Sequence, residues 1–276
     1  MSMQIVDTMM VGRLPRSAEA IGAVSIGSIL FYTVGIFGSG LLLGLDTLVS
    51  QAFGAGQVED CHHSLLSSFY LSLALTPILM GFVWLWVPVM RSFGIHPDVL
   101  REAIPYLRAI TWSTLPLLLY FAFRRYLQAM SLVKPVTFAL VTANLINLLG
   151  NWILIYGHLG APAMGVEGSG WATCVSRIYL SVVLLGFILY YYRRNGTGLL
   201  RTPLEPNFGR IRRLLSLGFP AALQFGLKVG VFAVATALIA KLNPISLAAH
   251  QIALNTVSFT YMVPLGIASA AAVRVG

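Results

Sequence analysis

Apolar residues run along this chain in long blocks rather than in alternation, and seven blocks are long enough to cross a bilayer: 26–50, 65–90, 103–129, 136–157, 167–192, 214–240 and 246–273. A span needs roughly 20 predominantly apolar residues, so the pattern predicts seven complete transmembrane helices. The opening "MSMQIVDTMMVG" has the same character but is too short to cross alone. It is predicted to be the last half of an eighth helix whose start precedes this sequence, and it lacks the cationic start of a secretory leader. Most connections are tight and turn-like: "GRLPRS", "FGIHPD", "SLVKP", "IYGHLGAPAMG" and "KLNPIS". The exception is "YRRNGTGLLRTPLEPNFGRIRR", which is long, basic and broken by Pro203, Pro206 and glycines. It reads as a linker between two groups of helices, ending in a short surface helix, "FGRIRRLLSL".

Composition fixes the class. Of 276 residues 57% are hydrophobic and 10% charged, with a mean hydropathy of +0.81. Soluble domains carry about 25% charged residues. The chain is therefore predicted to be an all-α polytopic membrane helix bundle. Its net charge of +9 is not a nucleic-acid signal in this setting; what matters is where the charges fall, because cytoplasmic loops collect Lys and Arg. With the 193–213 linker inside, alternation puts Arg124, Arg125, Lys134 and the arginines at 193, 194, 201, 210, 212 and 213 in the cytoplasm. Arg13, Arg16, Arg91, Arg101, Arg108 and Lys241 face the other side, and nine against six favours this orientation. Cys61 and Cys174 have no metal-ligand or disulfide spacing and read as packing residues.

A weak internal repeat supports a two-part organisation. At an offset of 228 residues "GRL" at 12–14 meets "AKL" at 240–242, Ala20 meets Ala248, Phe31 meets Phe259 and Gly38 meets Gly266. The offset corresponds to an even number of spans, so both copies run the same way through the bilayer. Parallel repeats about an axis along the membrane normal are a transporter plan, with the substrate site between the halves. The predicted units are 1–192 (partial span 1 to span 6), 193–213 (basic cytoplasmic linker) and 214–276 (spans 7 and 8 of a second, truncated lobe).

Ionisable side chains within spans are costly and mark a pathway or a partner. Here they are Asp7, Asp46, Arg177 and Lys228, with Glu167 at a helix edge. Asp7, beside Thr8, reads either as an interfacial carboxylate or as a buried one able to trade a proton for a cation. Asp46, in "GLDTLVSQAFGAG", either organises local hydrogen bonds near a helix end or lines a cavity. Asn144, Asn147 and Asn151 fall on one helical face, suited to interhelical amide bonding or to a water-filled cavity. Arg177, deep in its helix, requires a carboxylate or carbonyl partner. Small residues (Gly35, Gly38, Gly40, Gly44, Gly226, Gly230) and Pro77, Pro116, Pro220 and Pro264 allow close approach and bending.

Together "VDTMMVGRL", "LDTLVSQAFGAG", "NWILIYG" with "GVEGSGWAT", "GFPAALQ" and "LAAHQIALNTVSFTYMVPLGIASAAAVRVG" resemble, in order, the multidrug and toxic compound extrusion (MATE) family of cation-coupled exporters. The resemblance implies twelve spans in two parallel six-helix lobes, of which this chain covers part of span 1 to span 8. It implies a multi-pass protein of the plasma membrane, the inner membrane of a bacterium. The implied function is export of drugs, dyes or other small, often cationic, organic compounds by Na+ or H+ antiport and alternating access. No enzymatic activity, nucleic acid or cofactor is implied beyond the coupling ion. Asp7 matches the first-helix aspartate that binds that ion, and Asn147 and Asn151 match a fifth-helix polar pair in the same cluster; the only metal implied is Na+ at Asp7. Asp46, Gln224, Lys228 and Gln251 are candidates for the substrate cavity.

Lys228 departs from the family pattern. In "PAALQFGLKVGVF" it stands where the family has glutamate. An ammonium cannot ligate a cation but can occupy the place of one, paired with a carboxylate across the cavity. A retinal-binding lysine is the rival reading, but the facing 65–90 span carries no acid to serve as counterion. A lipid-linked-sugar flippase of the same superfamily would want a strongly cationic cavity, whereas the intramembrane charges here are mixed. Because alternating access needs two lobes, the 276 residues are expected to be inactive as a truncated lobe unless the missing carboxyl-lobe helices are supplied. Replacing Lys228→Glu is expected to raise export of cationic dyes and its dependence on an ion gradient in vesicle assays. Unchanged export would remove the assigned role of the lysine.

Overall fold

The computed structural model describes residues 2–92, 97–195 and 207–240, with scattered positions between 253 and 275. The helices are α1 (Ser2–Val11), α2 (Ser17–Leu41), α3 (Gly44–Gly54), α4 (Val58–Ser92), α5 (Pro97–Thr111), α6 (Thr114–Ala129), α7 (Val133–Tyr156), α8 (Gly165–Asn195) and α9 (Phe208–Ala240). Among the described residues there is no strand. Helices alone satisfy every backbone group within one segment, which hydrocarbon demands. Five stretches are long and apolar enough to span a membrane: Glu19–Gly54, Val58–Pro88, Val133–Tyr156, Gly165–Arg194 and Phe208–Val231. These correspond to five of the seven blocks read from the sequence.

The other two blocks differ. The 246–273 block lies largely outside the described residues. The 103–129 block is not one helix but two, α5 and α6, separated at Trp112 and Ser113. Pro116 has no N–H to return to the Trp112 carbonyl, and its ring opposes a regular turn there. The chain tightens instead, Ser113 N donating to the Ile110 carbonyl at 3.0 Å before Leu117 N resumes the helix on Ser113 at 2.9 Å. A similar tightening separates α2 from α3, where Leu43, Leu45 and Asp46 donate three residues back rather than four.

Polarity is distributed opposite to that of a soluble protein. On α4, Ile78, Phe82, Leu85 and Trp86 point outward, and on α7 so do Phe138, Val141, Leu145 and Leu149. The same α4 buries Ser64, Ser67, Ser68 and Ser72. Each serine satisfies itself within the helix: Ser64 Oγ donates to the Asp60 carbonyl and Ser72 Oγ to the Ser68 carbonyl, both at 2.8 Å. Small hydroxylated side chains let helices approach without stranding a polar group in lipid.

One end of the bundle collects the turns at 55–57 and 130–132 and the start of α9. Arg210 donates to the Asp60 carboxylate and, at 3.1 Å, to the Asp60 carbonyl. Tyr192, near the end of α8, donates to Met130 Sδ at 3.3 Å and takes the edge of His62 at 4.4 Å between ring centroids. Asp46 pairs with Arg125, tying α3 to α6 nearby. The end that the arginine pattern assigns to the cytoplasm is thus laced together by charge.

Helix α9 lies against α2 and α3 at backbone contact. A methyl on Gly218 would fall 2.0 Å from the Leu41 carbonyl oxygen, one on Gly40 2.5 Å from Ala222 Cα, and one on Gly44 2.8 Å from the Leu214 carbonyl oxygen. No Cβ fits at these three glycines. Gly218→Val is therefore expected to lower stability by about 1–3 kcal/mol, the scale of overpacking a filled interface. Gly186→Ala, whose methyl meets nothing within 4 Å, should leave it unchanged. Thermal unfolding in a mild detergent reads both, and equal midpoints for the two variants would contradict the close crossing.

Candidate functional site

The hairpin of α7 and α8 builds the site. Gly157 ends α7 in the left-handed conformation (φ 75°), where a Cβ would also collide with the Ala163 nitrogen at 2.8 Å. The chain reverses, and Met164 N returns to the Leu154 carbonyl at 2.9 Å. Past the turn the two backbones touch again: a methyl on Gly168 would lie 2.5 Å from the Leu154 carbonyl oxygen, and one on Gly150 3.2 Å from Ala172 Cβ. These contacts flank Asn151 on one helix and bring Thr173 opposite it on the other. Helix α1 lies alongside, held by Tyr156 Oη donating to the Met10 carbonyl at 2.7 Å.

At the meeting of the three helices sits Asp7, 3% exposed. Asn151 Nδ2 donates to its Oδ1 at 2.6 Å and Thr173 Oγ1 to its Oδ2 at 2.8 Å. Because Thr173 donates to the carboxylate, its oxygen is free to accept, and Asn147 Nδ2 supplies that bond at 3.3 Å. Asn151 Nδ2 also reaches Asn147 Oδ1 at 3.4 Å. Asn147 and Asn151 are fully buried, and Asn151 Oδ1 has no partner. One carboxylate, two side-chain amides and a hydroxyl thus gather in one buried cluster. Hard oxygen donors around a single negative charge can hold one small monovalent cation, or the carboxylate can take one proton instead.

Of the residues singled out from the sequence, Asp7, Asn147 and Asn151 meet here. Asn144 does not: its Nδ2 folds back onto the Leu140 carbonyl at 2.7 Å. Asp46 lies elsewhere, in its ion pair with Arg125. Gln224 and Lys228 are exposed on α9, one helical turn apart. Lys228 Nζ donates to Tyr261 Oη at 3.1 Å and stands 4.2 Å from that ring's centroid. The partner expected for it was a carboxylate; the structure supplies a tyrosine, whose ring face attracts an ammonium by its quadrupole. Gln251 lies outside the described residues.

Arg177 also corrects an expectation. It was to meet a carboxylate or carbonyl, and instead it donates to Ser113 Oγ at 2.6 Å and Tyr32 Oη at 3.5 Å. Its guanidinium stands 4.8 Å from the Phe31 ring centroid and 5.8 Å from that of Tyr32. Hydroxyls and ring faces hold the cation, and the break between α5 and α6 is what presents Ser113 to it. Thr173 is the site residue that the sequence reading passed over. Its signal was its place one turn before Arg177 on the same helical face, within "GWATCVSR".

A family model, MatE, matches residues 1–153 and 220–276. The chain is 32% identical over all 276 residues to a probable multidrug resistance protein NorM of Geobacillus kaustophilus, and spans 60% of that protein's length. Among solved structures, a MOP superfamily transporter from Pyrococcus furiosus superposes with a TM-score of 0.79 at 18% identity, over 97% of this chain and 58% of that one. The eukaryotic MATE transporter AtDTX14 superposes at 0.78 with 23% identity, over 99% of this chain and 60% of that one.

The energetic link between helices is testable. A double-mutant cycle of Asp7→Asn and Thr173→Val, read by unfolding in detergent, should give a coupling of about 1 kcal/mol, the scale of buried interhelical hydrogen bonds. Strict additivity would place Thr173 outside the cluster.

Proposed function

Because this chain belongs to the MATE family, we propose that it forms the amino lobe and the start of the carboxyl lobe of a plasma-membrane exporter of drugs, dyes and similar organic compounds. Export is coupled to inward flow of Na+ or H+, and the observation that carries the reading is the buried oxygen cluster around Asp7. A carboxylate sealed among helices is costly as a charge even when both oxygens accept hydrogen bonds. Its value lies in being neutralised by something that arrives and leaves, which a gradient supplies. Three helices contribute to the cluster, so filling or emptying it alters how α1 sits on α7 and α8. That is the element alternating access requires: a local charge change that biases two arrangements of a lobe.

The second lobe, whose helices are largely absent from these residues, completes the cavity in this reading. Gln224 and Lys228 on α9 then face the substrate path. The flippase alternative wants cations lining an open cavity. Arg177, 3% exposed and covered by Phe31 and Tyr32, does not offer one.

In vesicles containing the chain with the remaining carboxyl-lobe helices, Asp7→Asn should abolish gradient-driven efflux of a cationic dye such as ethidium while leaving protein yield unchanged. Asn147→Asp, which adds a carboxylate to the same cluster, should preserve a dependence on the gradient. Gradient-driven efflux at the unmodified rate from Asp7→Asn would overturn the coupling role.

A further inference from the structure

A polar pocket lies where the start of α9 meets α3 and α4. Its volume is about 320 Å³, and it is lined by Leu48, Gln51, Gln57, Asp60, Arg210 and Arg213 with Ala52 and Ser64. Arg210 is spent on Asp60, and Ser64 donates to the Asp60 carbonyl at 2.8 Å. The Arg213 guanidinium and the side-chain amides of Gln51 and Gln57 make no hydrogen bond or ion pair among the described residues. Two guanidiniums against one carboxylate leave a single net positive charge. The pocket therefore offers one excess cation with two side-chain amides in its lining, groups that suit a phosphodiester.

We propose that this pocket binds the headgroup of an anionic phospholipid. Its position selects a lipid over a free phosphate. Arg210 and Arg213 belong to the Phe208–Val231 stretch that is apolar enough to span the bilayer, and within two turns of Arg213 Leu217 and Phe219 are outward-facing. Phe53, also exposed, follows Gln51 by two residues. A phosphate here has exposed apolar side chains for acyl chains within about two turns of Arg213 on α9. Basic side chains at this depth attract anionic lipid by about 1 kcal/mol each. The lining comes from α3, the turn before α4, α4 itself and α9, so a seated headgroup bridges the amino lobe to α9 and reinforces the Asp60–Arg210 contact. The inference goes beyond the transport reading and does not depend on it.

The test is lipid retention by the purified full chain, measured by native mass spectrometry after equilibration with equimolar phosphatidylglycerol and phosphatidylcholine. The unmodified chain should retain phosphatidylglycerol preferentially, and Arg213→Gln should reduce that retention about five-fold, the factor one basic side chain contributes. Arg212→Gln, on the same turn but outside the pocket lining, should not. Equal retention of the two lipids, or equal losses for the two arginine variants, would overturn the site as diffuse surface attraction. Displacement of the retained lipid by millimolar inorganic phosphate would overturn the lipid as occupant. Unchanged unfolding midpoints in phosphatidylcholine keep the comparison between folded proteins.

Discussion

The hydrogen bonds that Asn151 and Thr173 give to Asp7 organise the rest of this structure. A carboxylate inside a bundle surrounded by hydrocarbon is tolerated only when its oxygens are satisfied, and here two different helices satisfy one each. The glycines at 150 and 168 exist in this account to let α7 and α8 approach closely enough for both donors to reach one side chain. Gly157 fixes the turn that sets their register. The remaining amide oxygen, Asn151 Oδ1, is left without a partner.

Charge is handled differently in each part of the bundle. Deep in the bundle, Arg177 is held by hydroxyls and ring faces, and Asp7 stands close enough to act on it by charge. At the end assigned to the cytoplasm, arginines pair directly with Asp46 and Asp60. The second of those pairs connects α4 to α9, and the glycine crossing connects α2 and α3 to it. At that crossing Gly40, Gly44 and Gly218 leave no room for a Cβ, and Asp60 and Arg210 clasp its end.

Much of this was legible from the sequence because the bilayer imposes length and polarity so strongly. Five apolar blocks became five spanning stretches, and Asp7, Asn147 and Asn151 could be grouped by helical spacing and family likeness. The break between α5 and α6 was harder to read: Pro116 was visible, but a proline within a span is compatible with a continuous kinked helix, and only the local bonding separates the cases. Thr173 was missed because a threonine in a membrane helix usually bonds to its own backbone, as Thr142 does. Whether it turns to a partner instead depends on the neighbouring helix. The partners of Arg177 and Lys228 were misjudged for a related reason. Sequence reasoning matches charge with charge, whereas aromatic faces and hydroxyls become visible as partners only when the helices are packed.

The central claim is that Asp7 holds the ion exchanged for substrate. The most direct measurement is the release of H+ or Na+ when a drug binds the purified chain together with the remaining carboxyl-lobe helices in weakly buffered detergent, followed by a pH indicator and a sodium-selective electrode. The account predicts about one cation released per drug bound, and none from Asp7→Asn. Release from Asp7→Asn at the unmodified stoichiometry would contradict it.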